Sequence, residues 1–349
     1  MTDEQSSQPI LTSLRIILIS VLIIIKNKVI TGVAVGILVL QYRLREGPID
    51  NHRDEIAAFE KRLRENWGWG YPIDLFEISV LTHTWIGRNI SEDIRQEELI
   101  LEEGNYRYEA LLRLHARACQ ISKEVGELMK AGYAVGALAR WRSLHEISVT
   151  AKFLIENDDK VAERFFVYND IVSYHTAKTH KKYQEDLNFH IVSEEELKEL
   201  ENRKDEIRDE YGNPMDDSAW GWGWAAEEFP DKTASFKRLE EETGLDIYRP
   251  YFKLASNALH GSSKGILHSI DSPNSANEGI FSTISAGPTN SGFTDPAQMT
   301  LLSLQSTTES LVELRPNKKR RMLLKVLNIS ILHIAKAFSR RDEHIEKTS

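Results

Sequence analysis

The sequence predicts an all-α protein, a multi-helix bundle preceded by an apolar N-terminal hairpin or membrane segment. Three observations carry this. Nine segments repeat apolar residues at helical spacing. No sustained period-two pattern of Val, Ile and Thr marks a sheet. Ser193 stands three residues before Glu196 at the head of a charged segment, the form of a helix capping box.

Taken in order, the first 45 residues are the most unusual. Ile16–Ile25 and Val29–Leu40 are apolar runs of ten and twelve residues separated by Lys26-Asn27-Lys28. Neither reaches the roughly 20 residues that cross a bilayer as one helix. A single span would place two lysines near its centre, at about 2.5–3.5 kcal/mol each, whereas a hairpin leaves them in the headgroups or beyond. Arg43, Arg45 and Arg53 then hold the following chain on the cytoplasmic side. A membrane partner is therefore expected through residues 16–40, with an inner-membrane location and a cytoplasmic main domain. A buried hairpin in a soluble cytoplasmic protein is the plainer alternative.

Residues 46–105 read as a connecting helical region. Asn51–Asn66 has a helical pattern, stopped by the two glycines and the proline of Trp67–Pro72, and Leu75–Arg88 follows. Residues 106–340 read as one helical domain, with helices expected at Tyr106–Ala131, Tyr133–Glu156, Lys160–Leu187, Glu194–Tyr211, Pro250–His260, Met299–Leu314 and Lys318–Phe338. The stretch 271–298, rich in Ser, Asn, Gly and Pro, reads as a long mobile or functional loop. Trp220–Trp224 echoes the Trp-Gly alternation at Trp67–Gly70, and aromatic packing in turns accounts for both more simply than a ligand groove or a membrane interface does.

Charge is segregated. Residues 1–45 hold five basic and two acidic side chains, 46–314 hold 29 and 48, 315–341 hold nine and none, and 342–349 hold one and three, which sums to the net −9. A uniformly basic nucleic-acid binder and specific DNA recognition are not expected. The basic head of the last helix, Lys318–Arg321, is most simply a solvated first turn, with anionic lipid or an RNA backbone as the sharper options. The single cysteine, Cys119, excludes an intrachain disulfide and a Cys-rich metal site, and reads as a buried structural thiol. No phosphate-binding glycine loop and no HExxH or paired ExxH pattern occurs, and His175 and His180 diverge on a helix, so neither a cofactor nor a metal is expected.

The best candidate site lies on Tyr133–Glu156. On a wheel at 100° per residue, Ala137, Trp141, Leu144, Ile147, Ala151, Leu154 and Ile155 form a broad apolar face, with a narrower second stripe of Val135, Val149 and Phe153. Arg142 and Glu146 fall in that second stripe one turn apart, with His145 adjacent. Arg142 would bind an anion, Glu146 orient it or act as base, and His145 act as acid or base. A satisfied ion pair fixing helix register is the plain alternative. Tyr251, Ser256 and His260 form a second polar cluster that could complete the site, His260 otherwise being an ordinary residue at a helix C-terminus.

The ordered set Arg142-Ser-Leu-His-Glu146, Arg164-Phe-Phe-Val-Tyr168 and Tyr251 with Ser256 and His260 resembles a mostly bacterial helical family known only as a domain of unknown function, over residues from about Tyr106 to the last helix. That resemblance passes on a helical fold and no activity. Arg140-Trp-Arg-Ser-Leu-His145 has the form of the Arg, four to six residues, His signature, and so resembles the helical ribonuclease domains of toxins and phage-defence systems. Helix geometry separates Arg140 from His145 by about 140°, which makes Arg142 the better-placed partner. Three functions follow as expectations: a membrane-associated protein with a buried Arg/Glu/His site, acting in bacterial defence or stress; a metal-independent ribonuclease or toxin with RNA as partner; and a non-enzymatic scaffold. A homo-oligomer is compatible with each.

Overall fold

In the computed structural model of the chain the described residues are 46–96, 105–187, 191–212, 215, 221–259 and 287–348. The two apolar runs at 16–40 and His260 lie outside them. Met1–Phe59 and Glu60–Ser349 are separate units. Among the described residues there is no strand, and the all-α expectation is met.

Helix α1 (Glu46–Lys61) runs into a π-helical turn, Arg62–Asn66. Helix α2 (Gly70–Gln96) starts inside the stretch expected to break a helix. Proline is tolerated there because Pro72 sits in the first turn, where the N–H has no helical acceptor, and Gly68 turns the chain at φ +67° just before it. Helices α3 (Tyr106–Lys130), α4 (Ala134–Glu156), α5 (Asp159–Leu187) and α6 (Glu194–Tyr211) fall within a residue or so of their expected limits. Ser193 Oγ accepts from the Glu196 N–H at 3.1 Å while the Glu196 carboxylate accepts from the Ser193 N–H at 2.8 Å, which completes the capping box. Helix α8 (Arg249–Leu259) also matches its pattern. Three short elements are not visible in the pattern: 3-10 turns at Gly223–Glu228 and Asp246–Tyr248, and helix α7 (Phe236–Thr243), capped by Ser235 and closed by Gly244 in the left-handed region.

Helix α9 (Thr294–Leu314) begins inside the expected loop 271–298. Its N-terminus is capped across the fold: the Gly292 and Thr294 N–H groups donate to the two oxygens of Asp342, at 2.8 and 3.1 Å. Residues 287–293 are further pinned where the Thr289 N–H donates to the Gly132 carbonyl at 2.8 Å. Residues 271–286 are outside the described set.

Helix α9 is the centre, packing on α2, α3, α4 and α10 (Lys318–Thr348). A helix enclosed this way is buried all round. It meets the demand with small hydroxyl side chains that return their hydrogen to the helix itself, as Thr307 and Thr308 do to Ser303 and Leu304 carbonyls at 2.9 and 2.8 Å. Each Trp-Gly echo places one tryptophan in the core, while Trp67 and Trp222 are half-buried. Trp69 is fully buried against Phe293 and Phe338 and donates Nε1–H to the Asn290 carbonyl at 2.9 Å. Trp224 packs among Phe153 and Phe165.

Helix α10 runs ten residues past its expected end at Phe338 and is not a plain core helix. Leu327, Ile331, Ile334 and Phe338 are buried, but Met322, Val326, Ile329 and Leu332 are exposed. It is the one helix among the described residues long and apolar enough to cross a membrane, judged by length and composition.

Candidate functional site

Helix α4 positions the site. The buried set on this helix differs from the wheel in informative ways: Val135 is exposed, whereas His145, Ser148 and Thr150 are buried alongside Trp141, Leu144 and Phe153. The expected buried arginine is only partly covered. Arg142 and Glu146 are 29% and 37% exposed and meet at 3.4 Å, which makes them the lip of the site. The fully buried residue is the histidine between them.

His145 Nε2 donates to Glu240 Oε1 at 2.8 Å, both side chains being fully buried. Glu240 is carried by α7 and also pairs through Oε2 with Arg249 at the start of α8. The carboxylate thus has one oxygen for a histidine and one for an arginine, as a buried charge requires. Rings close the surroundings. Trp141 lies one turn before His145 at 5.2 Å, and Phe236, Phe252 and Tyr248 approach it at 5.8–6.0 Å.

The lip has a distinct geometry. The guanidinium groups of Arg142 and Arg249 both lie over the Phe252 ring, at 4.6 and 5.8 Å from its centroid. Arg249 is 25% exposed, close to the 29% of Arg142. Arg142 Nε is buried with no hydrogen-bond partner, as are His145 Nδ1 and Ser148 Oγ on the same helix. Burial raises the pKa of Glu146, opposed by Arg142 and His145 and reinforced by Glu240. Burial, helped by Glu309, also raises that of the Tyr248 phenol.

The remaining expected residues fall apart from this centre. Arg140 pairs with Glu124 on α3, so the formal Arg140/His145 signature is split between two partners facing different ways. Helix α8 does pack on α4, yet it contributes Phe252 and Arg249 where Tyr251 was expected. Ser256 spends its hydroxyl on the Phe252 carbonyl at 2.7 Å. Arg164 of the second motif binds the Trp224 carbonyl at 3.1 Å and pairs with Glu228, tying α5 to the 3-10 turn. Glu240 and Arg249 carry no sequence signal beyond ordinary solvated charge: Phe236–Thr243 is eight residues of mostly polar side chains.

A second polar centre, also unexpected, lies between α2, α3 and α9. His83 Nδ1 and His115 Nε2 approach Thr308 Oγ1 at 2.9 and 3.1 Å, and that hydroxyl donates its own hydrogen to Leu304. Since Thr308 has one hydrogen and it is used, both imidazoles must be the donors. Cys119 Sγ lies 3.7 Å from His115 Nδ1, one turn away, so the thiol has a histidine neighbour where none was expected. It is nonetheless buried, and burial raises its pKa. Among the described residues no group of three His, Cys, Asp or Glu side chains could hold a metal ion.

Comparison with curated proteins and with solved structures gives no match. Residues 108–278, which take in all but the first two residues of α3, the whole of α4 to α8 and every described residue of the Arg142–Arg249 site, match the model of DUF5677, a family of unknown function.

Proposed function

We propose that this is a membrane-attached helical protein whose body binds a small anionic ligand, of the phosphate or carboxylate class, at the lip formed by Arg142 and Arg249. The observation that supports it is the convergence of two partly exposed guanidinium groups on one aromatic ring at 4.6 and 5.8 Å, with Arg142 Nε unpartnered and its Glu146 contact at 3.4 Å. At 3.4 Å the pairing of Arg142 with Glu146 is loose, and 29% of the arginine side chain is open to solvent. Both cations lie against the Phe252 ring, and paired guanidinium groups suit recognition of an oxyanion. Beneath them Glu240 sets the hydrogen bond of His145 and holds Arg249 in place. Full burial of His145 favours binding over turnover, because a general base must reach the proton it removes.

Attachment is assigned to the apolar runs at 16–40, with Arg43 and Arg45 on the cytoplasmic side. Recovery of the full chain in the soluble fraction without detergent would remove this part.

Binding is tested by titrating inorganic phosphate and a short RNA into the full chain, with calorimetric detection. Arg142→Ala is expected to weaken phosphate binding by about tenfold or more while circular dichroism is unchanged, the loss of one charge-assisted contact. RNA cleavage that disappears in His145→Ala would replace this reading with the ribonuclease. Absence of any anion binding to the unaltered chain would leave the network a structural tie.

A further inference from the structure

We infer that the paired outer face of α2 and α10 docks on the surface of an anionic lipid bilayer, a second membrane contact made by the folded body itself. It rests on the proposed attachment only for its setting, since it uses different residues.

The two helices lie side by side and antiparallel. Lys319 Nζ sits 5.1 Å from the Trp85 ring, and Tyr71 Oη lies 3.2 Å from His333 Nε2. Fourteen residues separate these contacts on each helix (85 − 71 and 333 − 319), so the register holds throughout and Ile78 falls opposite Val326. Helix α10 carries two apolar stripes. Leu327, Ile331, Ile334 and Phe338 face the body. The opposite one, Met322, Val326, Ile329 and Leu332, is 51–72% exposed. Beside it α2 exposes Ile78, Leu81 and Trp85, at 44–59%. A soluble monomer rarely leaves so continuous an apolar strip in water.

Charge identifies the occupant. Residues 315–341 hold nine basic and no acidic side chains. At helical spacing Lys318, Lys325 and Lys336 lie on the same outer face as the exposed stripe, and Arg340 follows beyond its end. At one end Lys336, Arg340, His333 and Tyr71 line a cleft of about 400 Å³, wide enough for a headgroup phosphate. On α2 the stripe meets Asp74, which Arg64 pairs at 2.5 Å, and Glu92. Apolar and basic side chains together on one exposed face can both meet an anionic leaflet, the first in its interface and the second at its headgroups. Two other occupants fit less well. Residues 1–45 have five basic side chains against two acidic, and a second copy would bring the same cationic helix against this one. The inner stripe of α10, packed against the body, keeps it from crossing the bilayer.

The test uses the full chain with Cys119→Ser and Ile329→Cys, the new thiol carrying an environment-sensitive fluorophore, and a control label at Glu199→Cys on α6. Phosphatidylcholine vesicles are compared with and without phosphatidylglycerol. The Ile329 label is expected to shift to the blue only with phosphatidylglycerol, the control label not at all. Lys318→Gln, Lys325→Gln and Lys336→Gln together should weaken vesicle affinity on the order of a hundredfold. Three results overturn the inference: no shift with anionic vesicles; a shift without lipid that grows with protein concentration, which means a second copy; or a shift without lipid that is lost when Ile23 and Leu38 are both replaced by Asp, which means that the N-terminal runs cover the face. Flotation with plain phosphatidylcholine while the Ile329 label stays aqueous keeps the attachment and removes the docking. A phosphatidylglycerol-dependent shift unaffected by the Ile23→Asp and Leu38→Asp changes does the reverse.

Discussion

Two histidine centres are buried in the same bundle and handled in opposite ways. His83 and His115 share the hydroxyl of Thr308 with no charged partner, whereas His145 is held by the Glu240 carboxylate, itself paired with Arg249. Burial alone therefore does not make a functional histidine. The first pair is kept neutral: desolvation pushes His83 down to about 3 and His115 to about 4, His83 also feeling its neighbour. The second centre accepts formal charges in the interior, which costs stability unless each is matched. A fold has little reason to bear that cost for packing, since an apolar triad of the same volume would do as well. That contrast makes the Arg142–Arg249 lip the candidate site and the His83–His115 pair a piece of core.

The largest effect should come from breaking the charged centre. Glu240→Ala leaves Arg249 without its carboxylate and His145 without an acceptor, and should destabilise the protein by about 3–5 kcal/mol in urea unfolding, the cost of removing one member of a buried pair. A loss below about 1 kcal/mol would mean that the network is solvated and the contrast is wrong.

Next comes the pH response of the neutral centre. Both imidazoles have folded pKa values below the ordinary 6.5. The unfolded chain therefore takes up protons that the folded chain refuses. Their stability is complete above about pH 6.5 and lost as pH falls towards 4. At pH 5 the loss is about 2 kcal/mol per histidine, or about 4 kcal/mol together. Urea midpoints at pH 7 and pH 5 measure it, and His115→Gln should remove about half of the drop. A flat profile would show that the pair is already charged or open to water.

Smaller still is Gly87→Ala. A Cβ there would overlap the His115 ring, whose Nε2 is tied to Thr308 Oγ1, and overpacking of this kind costs about 1–3 kcal/mol. An unchanged melting temperature would place His115 elsewhere. The smallest stability change is expected for Arg142→Gln, under about 1 kcal/mol for a partly exposed pair, although it should show the largest loss of anion binding. Arg142→Gln protein that loses about 3 kcal/mol or more of stability yet binds phosphate as before would reverse the roles assigned to the lip and to the buried centre.

Much of the bundle was legible along the chain because its helices follow local rules. The apolar spacing of α3 to α6 and α8, and the Ser193 cap, need only neighbours within a turn or two. Misplaced boundaries came from partners remote in sequence. The N-terminus of α9 is capped by Asp342, 48 residues away from Thr294, and nothing in the Ser- and Gly-rich stretch before it announces that. For the site, Arg142, His145 and Glu146 stood out because three polar groups interrupt an apolar helix. A wheel gives direction and not depth, so it does not show that Arg142 and Glu146 lie at the lip while His145 is fully buried. Arg140 matched a short motif by spacing alone and faces Glu124.

The sequence by itself determined the helical class, the segregation of charge into an acidic body with basic ends, and the helix on which three polar groups interrupt an apolar face. These are properties of local spacing and composition. Only the tertiary structure decided that α7, a short and polar helix, brings Glu240 to a histidine 95 positions away. It also decided that two arginines share one phenylalanine, and that α10 turns Met322, Val326, Ile329 and Leu332 outward. Each of those depends on which helices meet, which is set by the packing of the whole core and is written in no single segment.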